Sequence, residues 1–585
     1  MTLSRHSVSV GLLALTLGLS SAAISEQDTG SERLLFGDLH LHSNLSMDAY
    51  IAGNRTVSPA EAFRFAKGEA VQSSSGQTLR LAQPLDFLSV TDHSENLGIY
   101  AAWDRAMPGI RTSRVAQRYQ EVARLAPQLG LREAFMQVMS EGGPLGNLEE
   151  ASRRRIWREA LLEAESHNQP GVFTTLLGYE WTSMISGDNL HRVVLFRDDA
   201  QRVAETLPVL ASDSPDPEFL WSQLAAYEAL GGSVLAIAHN GNLSNGRMFA
   251  PERVDGSPFD SAYSAARRYW EPLYEVTQMK GDGETHPRLS PGDVFAAFER
   301  WDQYNVAFTA EKAPEMVRYE YARQALFDGL ALRDRLGENP FEFGLIGSTD
   351  SHTGLATTRE DQFFGKFGDS EPSAQRIFER MGQQFVENWR LGSSGLTAVW
   401  AADNSRASLF DALRARRAYA TTGTRIRLKF AAQWRSEVSD IASGTFDQPI
   451  TRMGGVLPTV DDSLGCMTFT IEAEQDPLAS PLQRVQVVKG ALRAGGVWHE
   501  SIYDVVLAND LEAGAAQLFT DWCDADFDRH QDAVYYARVL EVPSRRWTDY
   551  DRERFKLELP EGAETTVQER AYSSPIWYYS ARAPL

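Results

Sequence analysis

Two cysteines in 585 residues are too few for a disulfide scaffold or a thiolate metal site. Any bound metal must then be held by histidine and carboxylate. Past the first 25 residues, no stretch approaches the roughly 18 uninterrupted apolar residues needed to span a bilayer, so no transmembrane helix or membrane anchor is expected. Positive charge is also short: 57 Lys plus Arg face 79 Asp plus Glu, a formal net charge of −22. Such a surface repels polyphosphate backbones and anionic lipid, which argues against nucleic acid or a membrane surface as the main partner. Histidine is scarce, with 11 residues, so placement decides what each one can do.

What remains is an ordinary globular mixture, 43% hydrophobic with 44 Gly and 25 Pro, and it has no fixed-period repeat or low-complexity tract. Residues 1–23 read as a signal peptide: Arg5, then the apolar run Val10 to Leu19, then Ser20, Ser21, Ala22 and Ala23, where Ser21-x-Ala23 suits cleavage. The expected location is therefore periplasmic or secreted. Export would permit a disulfide between Cys466 and Cys523, and two buried thiols is the equal alternative.

From residue 34 to 427, short apolar runs alternate with segments of helical period. The runs are LLFGDLHLH, DFLSVTDH, VFTTLLGYEW, HRVVLF, SVLAIAHN, LYEVTQ, NVAFTA (305–310) and FGLIGSTDSH. Helices are expected over Pro59–Lys67, Glu218–Ala229, Val294–Gln303, Pro314–Leu332 and Ser405–Arg417. This alternation predicts an α/β fold with a parallel sheet, closed as a barrel or left open. Residues 95–170 form a helical insertion long enough to act as a lid or wall, and 366–400 form a second insertion of weaker pattern. From 428 to 585, alternating strands such as IRLKFAAQW, MTFTIEAE and RVQVVKG predict a β-rich, sandwich-like domain. Its aromatics, among them Trp522, Tyr535, Tyr536, Trp547, Trp577, Tyr578 and Tyr579, are expected in the core rather than stacked on a ligand.

The chemistry is concentrated at the ends of the runs. His40 and His42 form an H-x-H pair on one strand face. Thr91-Asp92-His93, Glu180, His191, His239 and Asp350-Ser351-His352 close or open later runs, so six of the 11 His sit at strand edges. Singly, each has a structural explanation: His191 could cap a hairpin, Glu180 could pair with Arg, and Asp350 could cap a helix. Together, on strands whose ends converge, they suit two or three divalent ions of the Zn, Mn or Fe type. Lys280, His286 and Arg247 also follow strand ends and are candidates for substrate contact, with Lys280 notable in a chain of seven Lys.

The segments GDLHLHSNLSMDAY, FLSVTDHSE, AIAHN and GSTDSH resemble the motifs of the polymerase and histidinol phosphatase (PHP) superfamily. GYEWTS, HRVVLF, RRAYATTGTRI and ERAYSSPIWYY look like its DUF3604 branch. The resemblance spans about 34–579 and implies a distorted (β/α)7 barrel holding up to three metals. Carried over by motif, His40, His42, Asp350 and a bridging Glu180 would hold the first ion. Glu180, His191 and His239 would hold the second, and Asp48, His93 and His352 the third. Many PHP members read S-D-G where this chain has Ser46-Met47-Asp48, which puts the acid one place later. The implied activity is hydrolysis of a small phosphomonoester or phosphodiester by metal-bound hydroxide, with Glu180, Asp350, His286 and Lys280 as catalytic candidates. The alternatives are an amidohydrolase-like cleavage of C–N or C–O bonds, or a non-catalytic metal-binding module.

Overall fold

The computed structural model describes residues 32–142, 145–381, 386–435, 449–459, 466–493 and 495–581. The leader expected over 1–23 lies outside them. The first strand, β1 (Arg33–Leu41), is buried from Leu35 onward on both faces, as a strand inside a covered sheet must be. Gly37 lets it lie against its neighbour, because a Cβ there would sit 2.3 Å from the Phe87 ring and carbonyl. After β1 the chain makes one turn of helix, α1 (Met47–Ile51), and then α2 (Pro59–Ala66). Helix α2 starts at a Ser58/Glu61 capping box with Pro59 in its first turn.

The next strands are β2 (Phe87–Val90), β3 (Thr174–Trp181), β4 (Arg192–Phe196), β5 (Val234–His239), β6 (Leu273–Gln278) and β7 (Gly344–Gly347). In space the order is β1-β2-β3-β4-β5-β6-β7. The pairs β1–β2, β2–β3, β5–β6 and β6–β7 are parallel. The sheet is mixed rather than parallel throughout, because β4 runs antiparallel to both neighbours. Only a short hairpin links β3 to β4, too little chain for a crossover. Past β7, Asp350 N donates to His40 O at 2.8 Å and His42 N to Ser351 O at 2.9 Å, so the ends of β7 and β1 meet.

Between β2 and β3 the 95–170 insertion is helical, with α3 (Ile99–Asp104), α4 (Arg114–Leu129), α5 (Leu131–Gly142) and α6 (Glu150–His167). It packs on β3 as a wall, with the Trp157 ring edge-on to Tyr179 at 6.1 Å.

Four expectations fail locally. The helix expected over Pro314–Leu332 starts only at Ala322 and runs to Leu336, after a single 3-10 turn over Met316–Tyr319. NVAFTA is a turn, because Asn305 Oδ1 accepts from Thr309 N (2.8 Å) and Ala310 N (3.3 Å) and closes the chain on itself. Residues 294–303 form turns instead of a helix. Asp293 accepts from Phe295 N at 2.9 Å, and Trp301 is drawn into a cluster with Leu243 and Met279. The end of the 366–400 segment is no insertion: β8 (Leu396–Ala401) lies beside β1, antiparallel to it.

From β8 the large sheet continues through β9 (Ala418–Thr421) into the β-rich region. There, β10 (Arg427–Arg435), β11 (Cys466–Glu474) and β14 (Gln517–Cys523) make a separate antiparallel sheet. The strands β12 (Leu482–Arg493), β13 (Val497–Leu507), β15 (Ala533–Glu541) and β16 (Arg570–Ser573) belong to the large one. Phe430, Phe469 and Ile471 of the first pack with Val485, Val487 and Tyr535 of the second. Tyr535, Tyr536, Trp547, Trp577 and Tyr578 are buried as core. Cys466 and Cys523 are disulfide-bonded across β11 and β14. No described helix is long and apolar enough to cross a membrane.

Candidate metal centre

The period of two on β1 puts both imidazoles inward, with His40 Nε2 and His42 Nε2 only 3.1 Å apart. The outer nitrogen of each ring is tied down. His40 Nδ1 lies 3.0 Å from Glu275 Oε2 on β6, and His42 Nδ1 lies 2.8 Å from Ser46 Oγ. Ser46 and Ser43 in turn donate to the buried carboxylate of Asp92 at 2.9 and 2.7 Å. Asp38 holds the far side by accepting from the His40 and Thr349 amides at 3.0 and 3.2 Å.

Glu180, near the end of β3, is the hub. Its Oε1 lies 2.8 Å from His191 Nδ1 and 2.9 Å from His239 Nε2. Its Oε2 lies 2.8 Å from His93 Nδ1 and 3.3 Å from His42 Nε2. The hairpin that reverses β4 brings His191 back to Glu180, while β5 runs out to His239.

Asp350 follows β7 in the left-handed region, φ +51°, a backbone that only a few residue types tolerate. Its Oδ1 faces His40 Nε2 and His42 Nε2 at 3.5 and 3.3 Å. Its Oδ2 takes Gln278 Nε2 (2.7 Å), Lys280 Nζ (2.9 Å) and Lys366 Nζ (3.0 Å). Lys366 also donates to the Asp350 carbonyl, which anchors that backbone. Asp48, on α1, sits between His352 Nε2 (2.8 Å) and His93 Nε2 (3.2 Å), so the displaced acid still reaches those two rings.

All nine expected ligands thus stand in one group, eight of them buried and Asp48 half-buried at its edge. Four sets of three converge within 4.8 Å: His42/His93/His352, His40/His239/Glu275, His40/His42/Glu180 and Glu180/His191/His239. The donor chemistry fits divalent ions. Glu180 Oε2, His191 Nε2 and both His239 nitrogens are buried with no aligned hydrogen-bond partner, although Glu180 Oε2 lies 2.8 Å from His93 Nδ1 and His239 Nε2 lies 2.9 Å from Glu180 Oε1. Nitrogen and oxygen lone pairs that approach closely without donor alignment are suited to a shared cation.

The electrostatics divide the imidazoles: neighbouring acids lift His40 and His93 against their burial, whereas burial lowers His42 and His191. Burial pushes the Glu180 carboxyl up, but His93 and His191 outweigh it and hold it well below the usual range. Asp350 is likewise lifted by burial and carried far down by Lys280 and Lys366. Burial, with Glu180 opposing, brings His191 down to about 4, and burial with His352 and His93 lowers His42. Neutral rings of this kind offer lone pairs. For His40 burial works downward, yet Glu275 and then Asp350 lift the ring to about 10.

Of the residues proposed for substrate contact, Lys280 reaches the group and His286 does not. The chain turns back at Gly281–Asp282, pairing with Thr277–Gln278, and leaves His286 buried beside Tyr321 with Nε2 3.1 Å from Asp302. Arg247 pairs with Asp188 at 2.7 Å. Sequence reasoning missed Glu275, Gln278 and Lys366. Glu275 had a signal, a carboxylate inside the apolar run LYEVTQ, and Lys366 is one of the same seven lysines that drew attention to Lys280.

No curated protein matches the sequence. Among solved structures, a two-domain protein containing a predicted PHP-like metal-dependent phosphoesterase from Bacteroides vulgatus ATCC 8482 aligns at 10% identity. The alignment covers 88% of this chain and 92% of that one with a TM-score of 0.28, a likeness too faint to argue from. The family described as a protein of unknown function, DUF3604, matches residues 29–513 and 508–580, and the chain therefore belongs to the DUF3604 family.

Proposed function

We propose that this chain is an exported, PHP-like metal-dependent hydrolase that cleaves a small phosphate ester. The observation that carries the reading is the divided carboxylate of Glu180: each oxygen faces a different set of imidazoles, as a ligand bridging two ions must. The meeting of β7 with β1 supports a seven-stranded barrel, and the Cys466–Cys523 disulfide supports an oxidising compartment. His40, His42, Asp350 and Glu180 would hold one ion, Glu180, His191 and His239 a second, and Asp48, His93 and His352 a third.

Divalent ions there would acidify water to a nucleophile and neutralise charge on a phosphoryl oxygen. The chain's own part is positional. The imidazoles are buried, whereas Asp48 and Lys280 keep 23% and 12% of their side chains exposed, which makes their side the one from which a substrate would approach. The Lys280 ammonium, resting on Asp350, is placed to meet an anionic oxygen of the substrate or to give the leaving oxygen a proton. Glu180 and Asp350 serve as ligands, and His286 drops out of the catalytic set.

The test is a screen of chromogenic phosphomonoesters, phosphodiesters, sulfate esters and anilides with Mn or Zn added. A phosphate ester should be turned over, and His40→Ala and Glu180→Gln should abolish this. Turnover of anilides alone would replace the reading with an amidohydrolase one. Less than about one tightly bound transition metal per chain would replace it with a non-catalytic module.

A further inference from the structure

Strand β6 carries two polar side chains, Glu275 and Gln278, three residues apart. In a regular strand residues three apart face opposite sides. Here the pairing with β7 slips by one, Glu275 opposite Ile346 and then Thr277 opposite Gly347, so Val276 is extra. The bulge resets the alternation and turns Glu275 and Gln278 to the same side.

Both reach proposed ligands of one ion from behind. Glu275, 2% exposed, sets its two oxygens 3.0 and 3.3 Å from His40 Nδ1. The opposite nitrogen, His40 Nε2, faces His42, Glu180 and Asp350. A carboxylate only accepts, so it keeps a proton on Nδ1 and leaves Nε2, turned to the other ligands, as the nitrogen that would ligate. Gln278 cannot be turned the other way. Its Oε1 accepts from Lys280 N at 2.8 Å, which commits its Nε2 to Asp350 Oδ2 at 2.7 Å, and that Nε2 also lies 3.3 Å from Glu275 Oε1.

We propose that Glu275 is a positioning residue for the metal centre: it locks His40 in the tautomer and orientation that ligate, and the bulge of β6, through Gln278, couples it to Asp350. The inference rests on His40 being a ligand, as proposed above. Glu275 also stands within reach of His239, but the inference gives it no bond to the ion, because both its oxygens face Nδ1, the His40 nitrogen turned away from the other ligands.

The experiment measures Zn2+ affinity by competition with a chromophoric chelator, and Zn content at saturation by elemental analysis. It compares wild type with Glu275→Gln, which keeps an acceptor but no charge, and Glu275→Leu, which keeps neither. Expected are a loss of affinity of about 10- to 100-fold in Glu275→Leu, a smaller loss in Glu275→Gln, and wild-type Zn content at saturation in both. The d–d spectrum of the Co2+-loaded variants should shift, which loss of packing alone would not produce. Wild-type affinity in both variants overturns the inference. So does a missing equivalent of Zn at saturation, which would make Glu275 a direct ligand. If Glu275→Leu does not fold, Glu275→Gln decides alone. A wild-type chain that binds no Zn2+, Mn2+ or Co2+ sinks the proposed function as well, whereas wild-type binding unaffected by either substitution sinks only this inference.

Discussion

Replacing Arg538 by Met should unseat the β-rich region from the first half of the chain. Arg538 lies on β15 with no solvent exposure. It donates to both Asp293 oxygens at 2.8 Å, to Gln486 Oε1 at 2.9 and 2.7 Å and to Glu284 Oε2 at 3.3 Å. Arg323, equally buried, shares the same two carboxylates and also reaches Glu500 Oε2 at 3.3 Å. Without Arg538, both acids must share Arg323. Removing one partner of a buried ion pair costs about 3–5 kcal/mol. The double variant with Asp293→Asn should recover about 1–3 kcal/mol of that loss, because the stranded charge is gone. Burial pushes the Asp293 carboxyl up, but Arg538 and Arg323 overcome this and hold it far below its usual range. A depressed acid stabilises the fold at pH above its unfolded value of about 3.9, and that contribution fades as pH falls through the folded value. The gap between wild type and Arg538→Met should therefore be full at pH 6–7 and narrow below about pH 4. Urea unfolding followed by tryptophan fluorescence at several pH values measures it. A loss under about 1 kcal/mol at pH 7, or a gap that widens in acid, would refute the reasoning.

Two further perturbations have clear signs. Gly37→Ala forces a Cβ to within 2.3 Å of Phe87 on the strand that carries His40 and His42, so it should destabilise by about 1–3 kcal/mol and reduce Zn content measured on the purified protein. Burial pushes the Glu541 carboxyl up to about 8, so the folded chain prefers it protonated and loses stability as pH rises from about 4 to 8. Glu541→Gln should flatten that slope, and a thermal-melt series showing the same slope in wild type and variant would contradict the assignment.

Most of the metal-ligand candidates were legible because they lie where an apolar run starts or stops, and a buried strand must end where its run ends. His40, His42, His93, His239 and Asp350 were found that way, and all stand in the cluster. Asp48 stands one place later than the family motif puts its acid, and its position on α1 still brings its carboxylate to His352 and His93. Glu275 and Gln278 were not legible as a pair, since their common facing depends on a bulge created by pairing with β7, some 70 residues away in sequence. His286 looked equivalent to Lys280 because both follow β6, and only the reversal at Gly281–Asp282 separates them. The place of β8 beside β1 and the turn in NVAFTA were hidden for the same kind of reason, because each depends on a partner rather than on its own period.

By itself the sequence determined the chemistry on offer: nearly free of cysteine, with imidazole and carboxylate at strand ends, in an acidic chain with little lysine. Composition and period are local properties, so one chain carries them without any fold. The tertiary structure alone decided which oxygen of Glu180 meets which imidazole, which nitrogen of His40 is turned to Glu275, and that two of the seven lysines converge on Asp350. Those relations join residues tens to hundreds of positions apart, and strand order and register, set by the packing of the whole sheet, bring them within 3 Å or so of each other.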